Sequence, residues 1–488
     1  MHPPRAATAA ATAASAAAPV PLLALLALLL PLLPAASAAP AAPASAAAAP
    51  LSPAGGAVVA RVDRPSPFSR AHTVTTFRAA ALPAAVATQA KVARPAVQPF
   101  QFTFSCADAS VAVCESARLG FERAGALIAN SLQIATTINV QATFRSFCNA
   151  AGKARNCDLG NTLGQAAAAA YFSAKLDNAS EWAFYPQALI KQMQPDHSLQ
   201  FNQYDIVAEF NADFPFFFRN SNRTILANET DFEFVVCHEL THGLGFDTAW
   251  ASYYTVYSGM TRDSSYLAPL VYLRGSNLNS AVVTSFEPIN IWDMYVQRSA
   301  DSQALSALAR TITSFGGVGT ELPKFLSGFE ASGAPYRAGR DVFSAVTAGS
   351  RAIAFKPKSG DLVYLQTKGG LYQPGSSIAH VDYDTYWTSP DFLMIPAVQN
   401  LTGSSLDDII KSNTKGVGLD GGIYGPGTKN IMASIGWTLA GQSTVTLRIA
   451  INPSPDLPKS GALARAVAGA SLPALAAALV STLVSLWL

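Results

Sequence analysis

Charge is scarce in this sequence: Asp, Glu, Lys and Arg make up 13% of 488 residues, and the formal net charge is +2. That balance supplies no surface for a polyanion, and nucleic acid is excluded as a partner. Cysteine is sparser still, five in all with none before Cys106. No thiol from the first hundred residues can therefore cap a metal. Histidine occurs six times in the whole chain, so any regular spacing among its histidines carries weight. The apolar run near the start, Val20 to Leu33, is too short for a comfortable membrane span.

Both ends read as processing signals rather than as fold. Arg5, the run Val20 to Leu33 and the small residues Ala35-Ala36-Ser37-Ala38 follow the order of a secretory signal, which predicts a signal peptide over 1–38. Residues 39–99 are rich in Ala and Pro with scattered Arg, and read as a disordered linker or short pro-segment that buries little surface. At the far end, a Pro-rich stretch leads to Ser460-Gly461-Ala462 and then to an uncharged apolar tail, Leu472 to Leu488. This is the order of a glycosylphosphatidylinositol signal, with a stalk over 451–471, lipid near Ser460 and the tail 472–488 removed. A retained tail anchor is the competing reading.

These signals predict an extracellular protein, either secreted or held at the cell surface by a lipid anchor. Asn178, Asn222, Asn228 and Asn400 each head an Asn-X-Ser/Thr acceptor for glycosylation, in keeping with that compartment. Cys106, Cys114, Cys148 and Cys157 permit three pairings, among which the local pair Cys148–Cys157 is preferred. Cys237 is left over and is expected to be a buried free thiol.

The chemistry concentrates between Thr230 and Phe246, TDFEFVVCHELTHGLGF. His238 and His242 are four residues apart, so on a helix their imidazoles lie on one face and can share a metal ion. Glu239 between them is placed to move protons for a water that such a metal makes acidic. Thr230 and Glu233 read as a capping box, Phe232, Val236 and Leu240 as the core-facing stripe, and Gly243 and Gly245 as the stop. Two histidines do not complete a catalytic site, which takes three protein ligands and one open position. Taken on the motif alone, Asp247, Glu287 and His380 are all candidates for the third. His380 is the only histidine after the motif, and Pro288 argues against a helix at Glu287.

Helix and strand alternate around the motif. A helix is expected over Ser116 to Ala135 with Phe121, Ala124, Ile128 and Leu132 inward, then a strand over Thr137 to Phe147 and a helix over Glu181 to Met193. Tyr204 to Phe210 reads as a second strand. The order predicts an α+β fold, a twisted sheet with backing helices, the metal-binding helix packed beneath it, and an open strand edge for an extended peptide.

The run HELTHGLGF resembles the zinc helix and glycine turn of metzincin metallopeptidases, but Thr248 stands where their short-spaced third His would be. The chain looks like the leishmanolysin-like members, which insert a long segment before that His. Pro374 to His380 is similar to their Gly-Ser approach, Leu393-Met394-Ile395-Pro396 to their methionine turn, and Asn430 to Trp437 to their closing helix. The resemblance implies one zinc per chain on His238, His242 and His380, with Glu239 as general base and acid, Met394 supporting the site and Gly245 turning the chain away. It also implies an N-terminal catalytic subdomain over 100–246, an insertion over 247–373 and a C-terminal subdomain over 374–450. Within the insertion, 286–295 reads as a strand, 342–354 as a helix and 362–366 as a strand. The expected activity is hydrolysis of peptide or protein substrates. The alternative is a catalytically degenerate surface glycoprotein of the same fold that binds a partner.

Overall fold

The computed structural model describes residues 56–66, 72–82, 97–148, 162–176, 181–257, 259–275, 277–442 and 447–453. The expected signal peptide, Asn178, Cys157, the attachment site Ser460 and the apolar tail lie outside them.

Part of the expected linker is folded, against the disordered reading of residues 39–99. Within the segment expected to be an unstructured linker, β1 (Ala57–Asp63) and β2 (Thr73–Ala79) form an antiparallel hairpin in register from Ala57↔Ala79 to Asp63↔Thr73. Its sequence is Ala-rich, but Val59, Val62, Val74 and Phe77 are buried, and β-branched residues suit a pleated surface.

After β3 (Phe100–Cys106) and α1 (Val111–Ala129), the chain forms β4 (Ile138–Arg145), β5 (Gly164–Ala168), β6 (Ala170–Leu176) and β7 (Ala183–Pro186). A single turn of helix, α2 (Gln187–Ile190), then leads to β8 (Gln194–Pro195) and β9 (Ile206–Asn211). The helix expected over Glu181 to Met193 is thus reduced to the single turn Gln187–Ile190, preceded by the strand Ala183–Pro186. Ala183 to Pro186 are all buried and pair with β6, so tertiary pairing overrides the local pattern.

Two sheets result. One has the order β3-β4-β9-β5, parallel except for the antiparallel edge strand β5. The other runs β2-β1-β6, then the strand Arg448–Ile451, then β8, with β7 also on β6. The architecture is α+β. Ile138, Val140, Ala142 and Phe144 face inward from β4, and Ile206, Ala208 and Phe210 from β9, as the alternation predicts.

Helix α3 (Phe232–Gly243) carries the motif and packs against α1, β5 and β9. Phe232, Val236 and Leu240 are all fully buried, as expected of the apolar stripe. The Phe232 ring meets Phe121, Phe210 and Phe144 at centroid distances of 5.5, 5.5 and 5.6 Å, and this aromatic cluster pins the helix under the sheet. A Cβ on Gly243 would come within 2.5 Å of Ile206 Cγ2, so the end of the helix approaches β9 as only glycine permits.

The helix start differs from the expected capping box. Asp231 is the N-cap, accepting from the amides of Glu233 at 2.8 Å and Phe234 at 3.3 Å, while Thr230 belongs to a short strand. Asp231 also accepts from Leu406 N–H at 2.9 Å, so the cap joins the helix to the later part of the chain.

Residues 247–373 carry helices Leu305–Thr313, Leu322–Glu330 and Ala334–Val346 and a three-stranded sheet of Val296–Arg298, Ile353–Phe355 and Val363–Tyr364. The strand expected at 286–295 is instead the end of a strand at Phe286 followed by a short helical turn, Ile291–Tyr295. The helix expected from 342 ends at Val346, before the strand at Ile353. Cys106 and Cys114 are joined to each other, Cys148 is also disulfide-bonded, and Cys237 is free and buried. Among the described residues no helix is long and apolar enough to cross a membrane.

Candidate metal centre

Helix α3 presents His238 and His242 one turn apart, with ring centroids 4.9 Å from each other. Gly245 follows with φ of +111°, a conformation that L side chains rarely adopt, and turns the chain back after the helix. His380 arrives from the other half of the chain, at the end of the turns beginning at Pro374.

The three Nε2 atoms form a nearly equilateral triangle, with sides of 3.1 Å (His238 to His380), 3.2 Å (His238 to His242) and 3.2 Å (His242 to His380). Each Nδ1 is spoken for: it donates to a backbone carbonyl, that of Leu393 at 2.7 Å for His238, Phe246 at 2.6 Å for His242 and Ser376 at 3.2 Å for His380. A carbonyl only accepts, so the ring proton resides on Nδ1 and every Nε2 is a bare lone pair aimed at a common point. Three acceptors facing one another repel unless a cation sits between them. Tetrahedral coordination at about 2.0–2.1 Å places ligand nitrogens about 3.3 Å apart, close to the triangle found here. Among the described residues these three side chains are the one group placed to hold a metal ion.

Burial keeps the imidazoles neutral. The His238 pKa is lowered to about 3 by desolvation, with His242 adding to the effect and the Leu393 carbonyl opposing it. His242 and His380 are lowered too, first by desolvation. Glu239 is pushed up to about 8 by burial, opposed by one hydrogen bond at 3.0 Å from the amide of Ala166 in β5 to its Oε2.

The other candidates for a third ligand are engaged elsewhere. Glu287 accepts from Arg64 Nη2 at 3.3 Å and lies 3.4 Å from His72 Nδ1. Asp247 accepts from the Thr248 amide at 2.8 Å, and the Thr248 hydroxyl donates to Asp293 at 2.6 Å. Met394 is fully buried in the turn Phe392–Met394, which supplies the Leu393 carbonyl to His238. The Met394 carbonyl accepts from Val381 N–H at 2.9 Å, next to His380. Asn222, Asn228 and Asn400 are exposed on the surface.

Several supports escaped the sequence reading. Trp292 packs on Phe246 at 4.1 Å and donates from Nε1 to the carbonyl of Ile378 at 3.3 Å, bracing the segments that hold His242 and His380 at once. Ile378 itself has φ of +55°, a strained conformation for a β-branched residue, two positions before His380. Such backbone partners leave no sequence signal, and Trp292 is one of two tryptophans in the expected insertion, with nothing local to set it apart from Trp250.

The triangle opens into a cleft of about 570 Å³. One wall is the edge strand β5, another is Ile395 to Val398, and Arg64 and Ser66 enter from the segment after β1.

The SPBPB7E8-like family matches over residues 61–461, which takes in every residue of this centre. The chain belongs to that family. The SPBPB7E8-like match begins inside β1 and so includes Arg64 at the cleft. Among curated proteins the chain is similar to "Uncharacterized protein PB7E8.01" of Schizosaccharomyces pombe, 25% identical over 280 residues. That alignment covers 54% of this chain and 48% of the relative, so the chain spans about half the length of the curated relative it matches. No solved structure matches.

Proposed function

We propose that the protein is a zinc-dependent endopeptidase with a metzincin-like catalytic domain, of the leishmanolysin-like kind, working outside the cell or on its surface through a lipid anchor. The observation that carries the reading is the triangle of Nε2 atoms with Glu239 on the same helix. Three neutral imidazoles and an open fourth side suit zinc and the chemistry of a hydrolase. When bound, the ion would lower the pKa of a water and polarise a peptide carbonyl.

The chain's own residues supply the rest. Glu239 is held at Oε2 by Ala166; the charge of a bound ion would offset the burial that raises its pKa and keep it ionised, so that its Oε1 can take the proton of the attacking water and return it to the leaving amine. Edge strand β5 offers its main chain to an extended peptide, which places the scissile bond beside the triad. Phe234 stacks toward His238 at 6.3 Å and the buried Phe392 at 6.1 Å, and so gives the Leu393 carbonyl a rigid backing.

The test is Glu239→Gln. Metal analysis should find the same zinc content as the parent, while hydrolysis of casein should fall by roughly 10²–10⁴-fold, the usual contribution of a positioned general base. Undiminished hydrolysis would falsify the assignment.

A further inference from the structure

The cleft contains a cation that this chemistry leaves unused. Arg64 is the one Lys or Arg lining it among the described residues, and Asp247 and Glu287 line it as well. The Arg64 guanidinium lies 4.6 Å over the Tyr171 ring, and its Nη2 reaches Glu287 at 3.3 Å. Its Nε is buried without a hydrogen-bond partner among the described residues. The backbone here is fixed: Arg64 N–H donates to the Ala169 carbonyl at 2.8 Å, and Arg61 to Asp63 pair with β6. Ala169 is the residue between β5 and β6, so Arg64 stands at the C-terminal end of the edge strand.

We infer that Arg64 is a substrate-positioning residue that donates to a main-chain carbonyl of an internal stretch of peptide, and that this end of the cleft rejects acidic side chains and free C-terminal carboxylates. The inference rests on the peptidase reading and gives it a substrate class. A guanidinium carries five N–H donors in a planar fork; Nε is sealed off and Nη2 reaches Glu287, but the side chain remains 18% exposed, so its terminal N–H groups favour an occupant that brings an acceptor. The charge on that acceptor decides which. Glu287 already neutralises the guanidinium and Asp247 adds a second carboxylate to the same cleft. Beside Arg64, a third carboxylate would meet Glu287 and Asp247 against a single guanidinium where the dielectric is low, the metal's charge being committed to the catalytic water and Glu239, whereas a peptide carbonyl brings lone pairs and no charge. Trimming from the C-terminus needs, besides the catalytic metal, an uncompensated cation for the terminal carboxylate, and among the described residues lining this cleft there is none. The site is built for cuts within a chain whose nearby side chains are neutral or basic.

Binding is measured on the full chain loaded with zinc and carrying Glu239→Gln, so that peptides stay intact. The probes are fluorescein-labelled decapeptides differing only by Glu, Gln or Lys at one position, which is moved along the peptide. At one or two positions the Glu peptide should bind about tenfold more weakly than the Gln peptide, and Lys should be tolerated. Adding Glu287→Gln frees the guanidinium and should abolish this preference. Asp247→Asn, which keeps the acceptor for Thr248, should move it in the same direction and covers a folding failure of the first variant. Arg64→Ala should weaken Gln and Lys peptides alike, by roughly tenfold or more, as expected for a lost charge-assisted hydrogen bond. If both carboxamide variants keep the parent ratio of Glu to Gln binding, or if no peptide binds at all, the inference is overturned. Failure of the peptidase reading registers elsewhere: a wild-type protein that cuts no casein, while the charge preference responds to Glu287→Gln, leaves the selection standing and removes the catalysis.

Discussion

With each Nδ1 proton committed to a carbonyl, three Nε2 lone pairs converge where only a cation relieves their repulsion. Removing one corner should therefore matter more than removing any nearby carboxylate. His380→Ala should lose tightly bound zinc and casein hydrolysis together, while Glu287→Ala and Asp247→Ala keep stoichiometric metal, because both carboxylates are directed to other partners. Metal content by atomic absorption after gel filtration decides it, and zinc retained by His380→Ala would sink the triad. His238, Glu239 and His242 were legible because helical spacing converts directly into geometry. His380 lies 138 residues beyond His242, and no local pattern spans that distance, so its legibility came from resemblance. The carbonyls of Phe246, Ser376 and Leu393 were illegible because any residue has one. Ala166, whose amide holds Glu239, is equally silent.

At the scale of elements, the site depends on how α3 is tied to the turns that follow it and to the segment of His380. Trp292 makes that tie twice, through its ring on Phe246 and its Nε1 on Ile378. Trp292→Phe keeps most of the packing and loses the hydrogen bond, so zinc affinity should drop by roughly 10–100-fold, as for other supports of metal ligands. A competing-chelator titration with an unchanged circular dichroism spectrum would show it; unaltered affinity would mean the turns hold themselves.

Asp293 makes a second tie, accepting from the Thr248 hydroxyl and from the amides of Ala249 and Asn290 at 2.9 and 3.1 Å. Burial nevertheless raises its pKa to about 7, against the lowering by these donors. The native state thus holds a proton that the unfolded chain has released above the ordinary Asp range. This group's contribution is fully present below the unfolded value of 3.8 and is lost as pH rises through about 7. Relative to Asp293→Asn, the melting temperature of the parent should fall steadily between about pH 4 and pH 8. A difference that stays flat would mean that Asp293 is ionised throughout in the folded protein. Long periodic elements were legible, as α1, β4 and β9 attest. The stretch 181–193 was not, because its short strand is fixed by pairing with β6 rather than by its own pattern.

Taken whole, the molecule includes the hairpin that composition had assigned to a linker or pro-segment. Its residues Val58 and Val59, Val62, and Val74 to Phe77 carry strand propensity, but Ala and Pro on either side diluted the signal, and the pairing partner β6 lies more than a hundred residues on. Val59, Val62, Val74 and Phe77 are 0, 1, 4 and 9% exposed. At about 1.5–3 kcal/mol each, their burial is worth roughly 6–12 kcal/mol as an upper bound, comparable with the net stability of an ordinary domain. The hairpin should therefore be a permanent wall of the protein, and one that delivers Arg64 to the cleft. Deleting residues 56–82 should abolish cooperative thermal unfolding rather than release activity. Because an unfolded product alone says little about processing, a second variant carries an inserted protease site between Leu82 and Val97. After cleavage the two pieces should co-elute in gel filtration, separate only in denaturant, and cut casein as the intact chain does. An N-terminal piece that departs under native conditions, leaving a folded and more active remainder, would make the hairpin a removable pro-segment and strip Arg64 from the working cleft.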